Sequence, residues 1–327
     1  MSMAVRRVRP PLDPELAAGL AAVQAQGIPI NFRPENLQDA RRIGRERLIS
    51  DRELRERGID FEELRVPGHA GGEISLLICR PAGLSKVAAA VYYIHGGGMV
   101  MAGNRVGIES MLDWAIEFGL VVVSVEYRVA PEYPDPIPVE DCYAGLVWTA
   151  DHAEELGIAA SHMLVAGISA GGGLAAATAL MARDRQGPAL MGQILGCPML
   201  DDREITPSST MLDQDSPWDR GSNDTGWNAL LGARRGGPDV SAYAAPARSA
   251  DFAGLPSAFI EVGSVDTFRD ESVDYASRIW QAGGAAELNV WPGGFHGFDG
   301  VVPQAALSQM ARWVRTDWLR RLLAARQ

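Results

Sequence analysis

From about residue 60 onward, continuous apolar runs alternate with longer stretches of helical spacing. Phe61-Glu-Glu-Leu-Arg-Val-Pro and Ile74-Ser-Leu-Leu-Ile-Cys-Arg-Pro predict two early strands joined by a turn at Gly71-Gly72. Further strands are predicted at Ala88 to Ile94, Leu120 to Tyr127, His162 to Ile168, Met191 to Pro198, Ala258 to Ser264 and Glu287 to Trp291. Helices are expected between them, at about 104–118, 139–156, 171–185, 270–283 and 303–325. A strand that is apolar on both faces must be covered on both faces. The pattern therefore predicts an α/β fold, a mostly parallel eight-stranded sheet flanked by helices.

Two regions fall outside this rhythm. Residues 12–55 read as helical, opening on Asp13-Pro14, and precede the first strand. Residues 200–250 break the alternation and carry Trp218, Trp227 and a loose Gly236-Gly237-Pro238. An irregular insertion of that length in a compact domain is rarely idle. The expected organisation is 1–55 as N-terminal cap helices, 56–200 with 251–327 as the catalytic domain, and 201–250 as a cap insertion.

Composition narrows the function classes. The net charge of −11 opposes nucleic-acid binding, which needs a basic face. The one basic cluster, Arg6-Arg7-Val-Arg9, reads as a solvated tail. No stretch approaches the roughly 18 apolar residues of a membrane span, and no apolar run follows the N-terminal arginines as in a secretory signal. Cys79, Cys142 and Cys197 are widely spaced, with no C-x-x-C pattern. They are expected to be free thiols in a reducing compartment, consistent with a cytoplasmic location.

The chemistry centres on Gly167-Ile-Ser-Ala-Gly171, a G-x-S-x-G between an apolar strand and an alanine-rich helix. A serine on such a turn presents its Oγ to solvent, next to the free N–H groups of a helix N-terminus. Serine needs a base. Of the five histidines, 69, 95, 152, 162 and 296, only His296 follows the last strand in a loop that could present it; His162 lies at the wrong end of the serine's strand. The imidazolium needs an orienting carboxylate. Asp266 directly follows a strand and is preferred over Asp270 and Glu271, which suit the start of the next helix. The order Ser169, Asp266, His296 is that of α/β-hydrolases. Oxyanion donors are expected from the N–H of Ala170 and from the glycines of His95-Gly-Gly-Gly98.

Taken together, His95-Gly-Gly-Gly98, Tyr127-Arg-Val-Ala-Pro-Glu132, Glu140-Asp-Cys-Tyr143, Gly167 to Gly172, Asp266 to Glu271 and His296-Gly-Phe298 resemble the hormone-sensitive-lipase-like esterases, the bacterial family IV carboxylesterases. The resemblance implies the α/β-hydrolase fold and cofactor-free hydrolysis of short- to medium-chain esters, with no metal. It assigns Ser169 as nucleophile, His296 as base, Asp266 as orienter, and Gly96, Gly97 and Ala170 as oxyanion donors. It also implies a cap from the N-terminal helices and the segment after the sixth strand, and a homodimer. Met99, Met101 and the cap residues Trp218 and Trp227 are expected to shape the substrate pocket. The chain departs from the family at Ile168, where Asp or Thr is common, and at Thr267, where Pro is frequent; the second change is expected to matter little. The same constellation also suits lactones, carbamates, amides or acyl transfer, and the fold alone would serve a non-catalytic ligand binder.

Overall fold

A computed structural model describes residues 9–46, 48–212 and 216–325, so the basic cluster before Arg9 lies outside the described residues. In chain order the elements are α1 (Pro14–Ala25), α2 (Leu37–Arg45), α3 (Asp51–Glu56), β1 (Ile59–Pro67), β2 (Glu73–Pro81), β3 (Ala88–Ile94), α4 (Glu109–Phe118), β4 (Val121–Glu126), α5 (Ile137–Asp151), β5 (Ile158–Ile168), α6 (Ala170–Asp184), β6 (Gly192–Gly196), α7 (Arg220–Leu231), β7 (Ser257–Val265), α8 (Arg269–Gln281), β8 (Ala286–Phe295), α9 (Phe298–Val301) and α10 (Ala306–Ala324). The strands form one eight-stranded sheet in the order β1-β2-β4-β3-β5-β6-β7-β8. β2 pairs antiparallel with β1 and β4, and every other pairing is parallel.

The apolar runs explain the layering. Val121 to Val125 on β4 and Val91 to Ile94 on β3 are buried on both faces of the pleat. α6 is buried from Ala170 to Ala182, because glycine and alanine let it lie close against the sheet. The parallel stretch β3-β5-β6-β7-β8 has a consequence for function. Its strands end along one edge, so the residues after β3, β5, β7 and β8 emerge side by side.

Element ends differ from the sequence pattern where proline and glycine intervene. The N-terminal region divides into three helices: Pro29 and Pro34 fall between α1 and α2, and α3 opens afresh on a capping box of Ser50 with Glu53. The helix expected from 104 starts at Glu109, after a turn in which Gly107 has φ +67°. β5 starts at Ile158, four residues before His162. Within 201–250 the chain forms α7 and short 3-10 turns at Ser208–Thr210, Gly232–Arg234 and Pro246–Arg248.

The N-terminal segment docks onto the region around α7 through polar ties. Arg33 grips both Asp219 carboxylate oxygens, at 3.0 and 2.6 Å. Asp219 also caps α7 by accepting from the Ser222 N–H at 2.9 Å. The Phe32 N–H donates to the Ser222 hydroxyl, and the Trp218 N–H to the Ile30 carbonyl. Asp219 is buried, so its loss removes a cap and strands a guanidinium. Asp219→Ala is expected to destabilise the fold by about 3 kcal/mol, read as a lowered urea midpoint; an unchanged midpoint contradicts this account of the docking.

Candidate active site

Ser169 sits between β5 and α6 with φ 60° and ψ −126°, a backbone conformation rare for any residue but glycine. Its N–H donates to the Gly196 carbonyl and its own carbonyl accepts from Met199, which fixes the turn against the end of β6. Close approach makes the turn possible. A Cβ at Gly171 would run into the carbonyl oxygens of Ile94 and His95. Asp266 follows β7 and His296 follows β8, as the parallel sheet requires.

The three side chains are in line. His296 Nδ1 is 2.9 Å from Asp266 Oδ2, and His296 Nε2 is 2.9 Å from Ser169 Oγ. The second Asp266 oxygen accepts from the Phe268 N–H at 2.9 Å, which holds the carboxylate plane. Asp270 and Glu271 do other work. Asp270 accepts from Ser208, and buried Glu271 accepts from the Leu200 N–H at 2.7 Å, so both anchor the segment after β6. His69, His152 and His162 bond locally near Glu140, Trp148 and Ser161, away from the serine.

Burial pushes the His296 imidazolium downward, but its partners outweigh that. The Cys197 and Asp266 side chains raise it well above 6.5. Asp266 supplies the negative charge, since burial pushes the Cys197 thiol up and keeps it protonated. The Cys197 sulfur lies within 4.8 Å of a His296 nitrogen and an Asp266 oxygen. Sequence spacing carries no sign of this and predicts only a buried free thiol. Cys79, Cys142 and Cys197 are all free and buried.

The glycine loop after β3 is braced from behind. Gly97 has φ +103° and its carbonyl accepts from Val100 and Met101. Among the described residues, the N–H groups of Gly96, Gly97 and Ala170 have no backbone acceptor. His95 is buried; burial lowers it to about 4, so it is neutral, and its Nδ1 bonds the Gly96 carbonyl at 2.8 Å. It stacks on Tyr127 at 4.2 Å, and the Tyr127 hydroxyl donates to the His95 carbonyl. The rest of the Tyr127–Glu132 stretch is scaffold. Arg128 binds both oxygens of buried Asp141, and Arg41 binds both oxygens of Glu132 and the carbonyls of Val100 and Ala130.

A cavity of about 410 Å³ opens at Ser169. Phe32, Leu48, Met101, Ile168 and Trp218 line it together with Gly96, Gly97 and His296. Two expected pocket residues are not brought there. Met99 turns into the main core at φ +61°, with 1% exposure, and Trp227 on α7 is fully buried in the same core. Met101 and Trp218 do line the cavity. Thr267 matters more than expected: its buried hydroxyl donates to the Trp218 carbonyl at 2.8 Å, tying the Asp266 turn to the cavity wall. Proline there would lose that bond. Ile168 packs apolarly, with Leu164, Ala166 and their neighbours. A larger cavity of about 760 Å³ adjoins this one at Arg41 and Ala102, but ion-paired side chains dominate its lining and Ser169 is not among them.

Behind His296, Arg315 on α10 bridges Glu261 on β7 and Asp299 on α9, at 2.5 and 2.6 Å. The Trp291 indole donates to the other Glu261 oxygen. This buried network joins the strand that ends at Asp266 to the turn that follows His296. Chemically, the arrangement offers a hydroxyl, a base with an oriented imidazole, and unpaired N–H groups around one apolar cavity.

Residues 91–300 match the family described by the α/β-hydrolase fold. The carboxylesterase NlhH of Mycobacterium tuberculosis is 34% identical over 313 residues, 91% of this chain and 93% of that protein. Human hormone-sensitive lipase is 37% identical over 137 residues, 42% of this chain and 12% of that protein. Among solved structures, a bacterial heroin esterase superposes with a TM-score of 0.87 at 38% identity, covering 95% of this chain and 98% of that one. The fold is thus that of an α/β-hydrolase. The chain belongs to the hormone-sensitive-lipase-like carboxylesterases within that family. Among the described residues, no helix is long and apolar enough to cross a membrane.

The raised His296 is directly measurable. In an NMR titration its imidazole is expected to lose its proton at a pH above 6.5, and at a lower pH in Asp266→Asn. A midpoint that ignores Asp266 contradicts the assigned cause.

Proposed function

We propose that the chain is a serine carboxylesterase that hydrolyses short- to medium-chain acyl esters through an acyl-enzyme. One observation carries the reading: His296 stands 2.9 Å from both Asp266 and Ser169, and His296 and Ser169 line one largely apolar cavity. His296 takes the Ser169 proton as Oγ attacks the ester carbonyl. The N–H groups of Gly96, Gly97 and Ala170 hold the developing oxyanion. His296 then returns the proton to the leaving alcohol, and water repeats the cycle on the acyl-enzyme. Asp266 holds the imidazole in the tautomer that presents Nε2 to the serine. The helices within 1–55 and the segment 201–250 act as a cap, a division supported by the Arg33–Asp219 tie and by Phe32 and Trp218 in the cavity wall.

Ser169→Ala is expected to lower kcat on p-nitrophenyl esters by at least about 10³-fold; unchanged turnover contradicts the assignment. A cavity walled by Trp218, Phe32 and Met101 favours short chains, so the rate should peak there and not on long-chain emulsified triglycerides.

The pH dependence follows from His296. As imidazolium it cannot accept the serine proton, so kcat/KM should rise with pH through a midpoint above 6.5, and a midpoint at or below that value contradicts the reading. The same shift acts oppositely on stability. A raised folded value stabilises the fold fully below 6.5, and that contribution is lost as pH rises through the folded value.

A further inference from the structure

The cavity at Ser169 is apolar in its walls but unbalanced in charge. Besides His296, whose charge is met by Asp266 at 2.9 Å, three charged side chains line it: Arg41, Arg105 and Glu109. Arg41 is bound by Glu132 at 2.7 Å, and Arg105 by Asp51 at 2.8 Å, with Glu63 at 3.9 Å. Glu109 has no ion pair or side-chain hydrogen bond among the described residues. Two guanidinium groups therefore face four carboxylates, Glu132, Asp51, Glu63 and Glu109. Glu109 opens α4, where an acid suits the helix dipole. That role asks for a carboxylate at the helix start but not for one on the wall of the substrate cavity.

The Glu109 side chain is exposed to solvent at this wall, and the Tyr93 phenol, pushed up mainly by burial, is raised further by it. Phe32 and Trp218 line the cavity too. Aromatic faces attract quaternary ammonium groups, and an unpaired carboxylate lining the same cavity supplies the opposite charge.

We propose that Glu109 makes this cavity selective for esters bearing an alkylammonium group over their neutral isosteres. The inference rests on the esterase reading and specifies its substrate class. The methyl groups of such a cation meet the apolar wall while its charge faces Glu109. An ester with an anionic arm meets the same carboxylate unfavourably.

The test compares choline butyrate with its uncharged carbon isostere, 3,3-dimethylbutyl butyrate, by pH-stat. The ratio of their kcat/KM values cancels any general change in activity. In the unmodified enzyme at low ionic strength the ratio is expected to favour the cation by about five- to tenfold. It should fall toward one in Glu109→Gln, and in the unmodified enzyme at about 0.5 M salt, where exposed charges are screened. The salt series carries the test even if the variant fails to fold. Turnover of both esters at a ratio that neither salt nor Glu109→Gln alters overturns the Glu109 assignment and leaves the esterase reading standing. Turnover of neither ester by the unmodified enzyme overturns the esterase reading, and this inference with it.

Discussion

The backbone of Ser169 is the constraint on which the site depends. A non-glycine residue at φ 60° costs on the order of 1 kcal/mol or more, so its surroundings must hold it there. Gly196 accepts its N–H, Met199 donates to its carbonyl, and Gly171 lets α6 lie against the ends of β3 and β5. The turn aims Oγ toward His296 and leaves the Ala170 N–H beside it without a backbone acceptor. Strain in one residue thus sets out both a hydroxyl facing His296 and an N–H without a backbone acceptor.

The parallel sheet supplies the rest by geometry. Neighbouring strands lie about 4.8 Å apart, so residues leaving β3, β5, β7 and β8 at one edge come within a few side-chain lengths of one another. Proximity alone would not fix angles to within a hydrogen bond. That precision comes from groups that touch no substrate: neutral His95 on the Gly96 carbonyl, Arg128 on Asp141, and Arg315 between β7 and the turn after His296. Each is buried or half-buried and held by two or more contacts, so the loops that carry the chemistry rest on rigid supports.

The sequence made the sheet, the serine turn and the order Ser169, Asp266, His296 legible, because strand periodicity and strand ends are local features. It could separate Asp266 from Asp270 and Glu271 by position after a strand, and the structure gives those two acids anchoring bonds elsewhere. What stayed hidden depends on long-range packing. Cys197 lies near His296 because the end of β6 passes under the site, and Thr267 reaches Trp218 across 49 residues. Met99 and Trp227 show the converse. Large apolar side chains near a pocket in sequence are as readily absorbed by the core, and a positive φ turned Met99 inward while its neighbour Met101 reached the cavity.

The central claim is that His296 and Asp266 make Ser169 a nucleophile. Intact-protein and peptide mass spectrometry after exposure to diethyl p-nitrophenyl phosphate tests it most directly. The account predicts a single diethylphosphoryl group on Ser169, formed rapidly in the unmodified chain and far more slowly when His296 is replaced by alanine. Labelling at another residue, or labelling of Ser169 at the same rate without His296, would contradict it.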